Sequence, residues 1–203
     1  MITIVDYGMG NLGSVVNMFK KIRVPSMTTS EAAVISQASK IVLPGVGSYG
    51  SGMANLAQMG LAAVLTDKVV REKTPILGIC LGMQLFTEKG EEGDARGLGW
   101  IQGSTVRFRL DGAPQMKVPH MRWNTVARVR DHPIFTDWPE ESRFYFVHSY
   151  HVLCGDDGDV IGTTEYGYHF TSVIAHDNIL GVQFHPEKSH KFGMKLLQNF
   201  AEW

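Results

Sequence analysis

The chain has 203 residues, 44% of them hydrophobic and 19% charged, with a formal net charge of -1. That length can bury one sizeable core, and the balanced charge excludes a polybasic nucleic-acid binder or membrane anchor. Cys80 and Cys154 are far apart and in no metal-binding pair, which argues against a disulfide scaffold and for a reducing cytoplasm. The opening Met1-Ile2-Thr3-Ile4-Val5-Asp6 lacks the basic n-region of a cleavable signal, and no apolar run is long enough to span a bilayer.

In chain order, Ile2 to Val5 reads as a strand ended by the turn Asp6-Tyr7-Gly8. Leu12, Val15, Val16, Phe19 and Ile22 then recur at helical spacing. Ser26 to Thr29 and Ile41-Val42-Leu43 follow as strands, the latter stopped by Pro44-Gly45. Met53 to Val70 reads as helix, broken at Gly60. Pro75 opens a fourth buried strand, Ile76 to Ile79, and a helix is expected from Cys80. This βαβα order predicts an α/β fold: an open, twisted, mostly parallel sheet of the flavodoxin-like kind, with helices on both faces. Ligands of such sheets bind beyond the carboxyl ends of the strands, where Pro44-Gly45 and Cys80 fall. The second half is β-rich, with Val106 to Phe108, Thr125 to Val129 and Phe144 to Val147 as strands. Thr171 to Ala175 and Ile179 to Phe184 form a hairpin around His176-Asp177-Asn178. A final helix carries Phe192, Leu196, Phe200 and Trp203 on one face. No linker or repeat interrupts 1–203, so one domain is expected.

Gly78-Ile79-Cys80-Leu81-Gly82 has the G-x-C-x-G form of a nucleophile elbow, which exposes its nucleophile on a strained strand-to-helix turn. The helix that follows would point its positive end at the sulfur and favour thiolate. A lone cysteine is more often a buried core residue; two glycines at elbow spacing after an apolar strand point to chemistry instead. His185-Pro186-Glu187 closes the strand Gly181 to Phe184. In an extended segment residues two apart share a side, so His185 and Glu187 can converge as base and orienter. Alone, that pair would read as a solvated strand end.

Gly78 to Leu85 (G-I-C-L-G-M-Q-L) and Gly181 to Ser189 (G-V-Q-F-H-P-E-K-S) resemble the two signature segments of class I glutamine amidotransferases. Asp6 to Asn11, Leu43 to Gly47, Pro119 to Asn124 and Phe146 to Tyr150 resemble, within that family, the glutaminase subunits of imidazole glycerol phosphate synthases. The resemblance implies that Cys80 attacks the side-chain amide of L-glutamine, that His185 moves the protons and that Glu187 orients it. It also implies an oxyanion hole from the backbone of Val46 or Gly47 together with Leu81. Gly45, Gln84, Glu92, His148, Ser149 and Tyr150 would hold the substrate. No cofactor or metal is implied. The implied partner is a (β/α)8-barrel cyclase subunit, contacted by Trp123, Tyr145 and Lys188, in a heterodimer of histidine biosynthesis. The peptide at Val46 would have to reorient before the oxyanion hole exists.

One position departs from the family. Arg122 stands where P-H-M-G-W-N has glycine, and glycine alone tolerates positive φ cheaply. That keeps in view a paralogous branch that feeds ammonia to amidino-sugar synthesis with its own barrel. Three further readings compete. Gly8-Met9-Gly10-Asn11-Leu12-Gly13 fits G-x-G-x-x-G, an NAD-binding fingerprint, although Glu31 sits in a helix-cap pattern and not at a strand end. A non-catalytic scaffold would keep the fold and lose the triad. A zinc hydrolase would need a third ligand beside His148 and His151.

Overall fold

The structure, a computed structural model, describes residues 1–111 and 115–203. β1 (Ile2–Val5) is buried throughout. It runs into a turn where the Asp6 carboxylate accepts from the Gly8 N–H at 3.0 Å. Asn11 then caps α1 (Leu12–Lys21), its side chain accepting from the Ser14 N–H. β2 (Ser26–Thr29), the single turn α2 (Ala32–Ile35) and β3 (Ile41–Gly45) follow. β3 continues through Pro44 instead of stopping at Leu43. β1 pairs with β3 no further than Val42, so on that side no strand is left wanting the proton that proline lacks. α3 (Tyr49–Gln58) and α4 (Leu61–Thr66) break at Gly60, which takes a left-handed φ of 68°. The helix begins at Tyr49, earlier than the apolar pattern suggested, because Ser48 caps it by accepting from the Ser51 N–H.

β4 (Ile76–Cys80) leads into α5 (Leu81–Gln84), only four residues long. The chain then makes β5 (Thr87–Gly90), β6 (Ala95–Arg96) and β7 (Ile101–Arg107). β8 (His120–Thr125), β9 (Ala127–Arg128), β10 (Arg143–His148) and β11 (Tyr150–Cys154) follow. The last strands are β12 (Val160–Tyr166), β13 (Tyr168–His176) and β14 (Ile179–Val182), before α6 (His190–Glu202). A hairpin forms at Asp177, which takes φ 49°, but its turn is tighter than expected, because His176 belongs to β13 and pairs with Ile179, and the second strand ends at Val182 and not at Phe184.

The main sheet runs β2-β1-β3-β4-β14-β13-β11-β7-β5-β6, with β12 and β9 branching from β13. β2, β1, β3, β4 and β14 are mutually parallel. β13, β11 and β7 continue antiparallel. A separate ladder joins β8 to β10.

Alternate residues of the parallel strands feed two cores. Ile2, Ile4, Val42, Leu77 and Ile79 pack with Val15 and Phe19 of α1 and with Leu196 and Phe200 of α6. Val5, Ile41, Leu43 and Ile76 pack on the other face with Leu56 of α3 and with Leu61 and Leu65 of α4. This is the period-two signature of a sheet covered on both sides. Among the described residues no helix is long and apolar enough to cross a membrane.

Candidate active site

β3 and β4 end side by side, Gly45 paired with Cys80. Cys80 holds φ 53° and ψ -108°, a conformation that L-residues avoid and that here aims the side chain off the strand end. Both flanking glycines are required by contact. A Cβ on Gly82 would stand 1.8 Å from the Leu43 carbonyl oxygen, and one on Gly78 would stand 2.6 Å from the Met83 nitrogen and the Phe86 ring. Because α5 is one turn long, the sulfur gains little from a helix dipole; the strained elbow and its side-chain neighbours set its surroundings instead.

β14 lies next to β4 in parallel register, Val182 opposite Ile79. The residues just past Val182 therefore reach the sulfur. Gln183, wholly buried, donates from Nε2 to Cys80 Sγ at 3.6 Å. His185 follows, 1% exposed, with its own N–H bonded to the Tyr145 carbonyl at 2.9 Å. A carboxylate only accepts, so the 2.7 Å contact between His185 Nδ1 and Glu187 Oε1 fixes the ring proton on Nδ1. Nε2 is left buried without a hydrogen bond of normal geometry, free to act on the sulfur and its ligand. Burial alone would pull this imidazole down. The Cys80 sulfur and then the Glu187 carboxylate outweigh it and lift the imidazole to about 10. The pair meets by a different route from the extended segment expected. Strand β14 ends at Val182, and Pro186 starts a single 3-10 turn (Pro186–Lys188) that folds Glu187 back onto the ring.

Cys80 and His185 face a cavity of about 270 Å³. Val46, Gly47, Leu81, Gln84, Glu92, His148, Ser149 and Tyr150 also line it. The Val46 and Gly47 N–H groups take no backbone partner among the described residues. Gly45 does not line the cavity but lies buried beneath it, where a Cβ would meet the Tyr7 hydroxyl at 2.5 Å. Glu92 reaches the cavity while its Oε2 accepts from the Tyr49 N–H at 2.8 Å. Both ring nitrogens of His148 are engaged, Nδ1 on the Tyr150 carbonyl and Nε2 on His120 Nδ1. His151 is likewise bonded to the Val152 carbonyl and the Tyr168 hydroxyl. Burial drives His120 down to about 4, helped by the Arg122 charge. Burial also holds His148 well below the usual histidine range.

Sequence reasoning assigned no role to Gln183, Pro119 or Val147, although the last two line the cavity. All three lie in segments already singled out, but the side chains of Pro119 and Val147 carry no chemical signal of their own.

Around the mouth, Trp123 and Tyr145 are register partners on β8 and β10, their rings 6.1 Å apart and edge-on. Lys188 Nζ sits 5.6 Å from the Tyr145 ring, and His190 stacks on Trp123 at 5.5 Å. Trp123, Met121 and Val46 are 40%, 61% and 49% exposed, an apolar rim of the kind that marks an interaction face. Arg122 lies in the β8 ladder opposite Phe146 and has no positive φ. The backbone at this position accepts a side chain without strain.

The glycine-rich turn after β1 is accounted for by packing. A Cβ on Gly10 would stand 3.3 Å from the Pro44 carbonyl carbon, while Gly13 has open space around it. A dinucleotide loop needs its third glycine for close helix packing.

The family model described as Glutamine amidotransferase class-I matches residues 3–203. The chain is 54% identical to "Imidazole glycerol phosphate synthase subunit HisH 2" of Methanococcus maripaludis over 202 residues, covering 100% of this chain and 99% of that protein. It is 48% identical to "Imidazole glycerol phosphate synthase subunit HisH" of Sulfurimonas denitrificans, covering 100% and 98%. Among solved structures it superposes on "Structure of PurLQS from Thermotoga maritima" with a TM-score of 0.73 at 17% identity, covering 99% and 97%. It also superposes on "Crystal structure of glutamine amidotransferase" with a TM-score of 0.74 at 14% identity, covering 100% and 98%. With an elbow cysteine and a carboxylate-oriented histidine on neighbouring strand ends, and a match that runs from residue 3 to residue 203, the chain belongs to the class I glutamine amidotransferases.

Proposed function

We propose that the protein is the glutaminase subunit of an imidazole glycerol phosphate synthase, hydrolysing L-glutamine and passing the ammonia to a (β/α)8-barrel cyclase. The observation that carries the chemistry is the His185–Glu187 contact of 2.7 Å, which leaves Nε2 facing the cavity that holds Cys80. The observation that carries the biology is 54% identity to an imidazole glycerol phosphate synthase subunit over the full chain.

In this mechanism the Cys80 thiol gives its proton to His185 Nε2, the resulting thiolate attacks the carboxamide carbon, and the carbonyl electron pair moves onto oxygen. The N–H of Leu81 and that of Val46 or Gly47 hold the oxyanion; each such donor contributes roughly 3 kcal/mol to the transition state. Collapse breaks the C–N bond while His185 Nε2 gives its proton to the leaving nitrogen, so ammonia departs and a glutamyl thioester remains. Water then loses a proton to Nε2 and attacks the thioester carbon. The C–S bond breaks, releasing glutamate and restoring the thiolate. Gln84, Glu92, Ser149 and Tyr150 hold the substrate, and the rim of Trp123, Tyr145 and Lys188 receives the barrel. A docked barrel keeps ammonia from bulk water, where it would be protonated and lost.

The test is glutamate release measured with the barrel cyclase and its nucleotide, and again with Cys80→Ala. The reading requires stimulation by the cyclase and loss of release in the variant. Equal rates for the two chains would end it.

A further inference from the structure

Cys80 sulfur has a second neighbour besides the imidazole, and the orientation of that neighbour can be read without ambiguity. The Tyr150 carbonyl can only accept, so the Gln84 amide group 2.9 Å from it presents nitrogen. That nitrogen can only donate, so the Gln183 atom 3.0 Å from it is oxygen. Gln183 must then turn its NH₂ toward Cys80 Sγ, at 3.6 Å. Every step is fixed by the one before, back to a main-chain carbonyl that cannot be flipped. The chain is buried, with Gln84 4% and Gln183 0% exposed, so these bonds are little weakened by bulk solvent.

We propose that Gln183 is a catalytic residue that donates a hydrogen bond to the Cys80 sulfur and holds it as an anion, and that Gln84 is a positioning residue that fixes which end of Gln183 the sulfur meets. A donor aimed at sulfur stabilises the charged form and offers nothing comparable to the neutral thiol. Register explains why this residue serves. Val182, the last residue of β14, is paired with Ile79, so Gln183, the first residue past the strand, lies beside the elbow, two residues before the base. Gln84 is joined to Cys80 by one turn of α5 and can touch both the cavity and Gln183. The proposal rests on the glutaminase reading for its purpose, but the bond itself is independent of substrate and partner.

The test uses the Cys154→Ala chain, in which Cys80 is the only thiol, and follows its alkylation by iodoacetamide across pH without glutamine or cyclase. Gln183→Met removes the donor and should lower alkylation about tenfold on the acid side of the profile, moving its midpoint up by about one unit. Gln183→Glu keeps the size and still accepts from Gln84 but offers the sulfur no donor when ionised; it should lower alkylation at least as much. Gln84→Met touches no sulfur yet frees Gln183 to turn over, and should shift the profile the same way by a few-fold. Circular dichroism selects the folded variants. An unchanged profile in any folded Gln183 variant, or a Gln84→Met profile identical to the parent, overturns the proposal. Failure of glutamate release with these shifts intact would count against the glutaminase reading and leave the sulfur contact standing.

Discussion

The N–H of His185 donates to the Tyr145 carbonyl at 2.9 Å, so the base hangs from the strand whose outward ring belongs to the exposed rim. Ser189 Oγ reinforces this join, accepting from the Tyr145 N–H at 3.0 Å and donating to the His185 carbonyl at 2.6 Å. The Tyr145 ring, part of the proposed docking face, is thus one peptide away from the backbone that places the imidazole. Replacing the neighbouring rim aromatic, Trp123→Ala, should weaken cyclase binding about 30-fold, the equivalent of about 2 kcal/mol for a buried aromatic anchor. Titration calorimetry reads it; an unaltered Kd would remove Trp123 from the docking face.

Glu187→Gln keeps the size of the side chain but lets an amide NH₂ face His185 Nδ1, stabilising the wrong tautomer. Glutamate release in the cyclase complex should fall about 10²- to 10⁴-fold in kcat with little change in KM. A kcat within a factor of two of the parent would show that the carboxylate does not orient the base.

Gly82→Ala drives a methyl group to 1.8 Å from the Leu43 carbonyl oxygen, and both partners are backbone, so neither can rotate away. The expected loss is about 1–3 kcal/mol of stability, with the elbow pushed off β3 and glutaminase activity lost beyond what unfolding explains. Urea midpoints and rates measured well below the transition separate the two effects.

Two buried histidines shift in opposite directions and bracket the stability profile. His120 is held down to about 4, so its contribution is complete above the ordinary histidine range near 6.5 and is lost as pH falls through about 4. His185 is lifted to about 10, so its contribution is complete below about 6.5 and is lost as pH rises through about 10. Melting temperature should therefore decline on both sides of about pH 6.5. His120→Asn should flatten the acid limb. Cys80→Ala should flatten the alkaline limb, because the sulfur is the strongest influence lifting His185. An alkaline limb as steep in Cys80→Ala as in the parent would contradict the influence of the sulfur on His185.

The parallel half of the fold was legible because its signals are local. Ile2 to Val5 and Ile76 to Ile79 are short, mainly apolar runs, Gly60 breaks a helix that α3 and α4 share, and His176-Asp177-Asn178 marks a hairpin. The strand His120–Thr125 was not, since of its six residues only His120 is buried, which leaves no alternation to read. Strand Val160–Tyr166 was missed for another reason: register shifts around Gly162 break the regular alternation, so Ile161 and Gly162 are both buried. At the site, the glycines around Cys80 announced an elbow, since close approach admits no other residue. The one-turn length of α5 depends on Leu85 and Phe86 leaving the helix for contacts that only the tertiary fold supplies. Gln183 was unreadable for a related reason: its partners Gln84 and Cys80 are 99 and 103 positions away.

Because Ile79 and Val182 share one rung of the sheet, the reactive sulfur and its imidazole are aligned by counting residues, like teeth on two meshed racks. A deletion in the turn at Asp177 could leave a folded, soluble protein with the same sheet order. It would nevertheless offset one rack by a tooth, turning Gln183 and His185 to the opposite face and disarming the enzyme without unfolding it. Length changes in that surface hairpin, remote from the cavity, are thus expected to be as damaging to turnover as substitutions inside it.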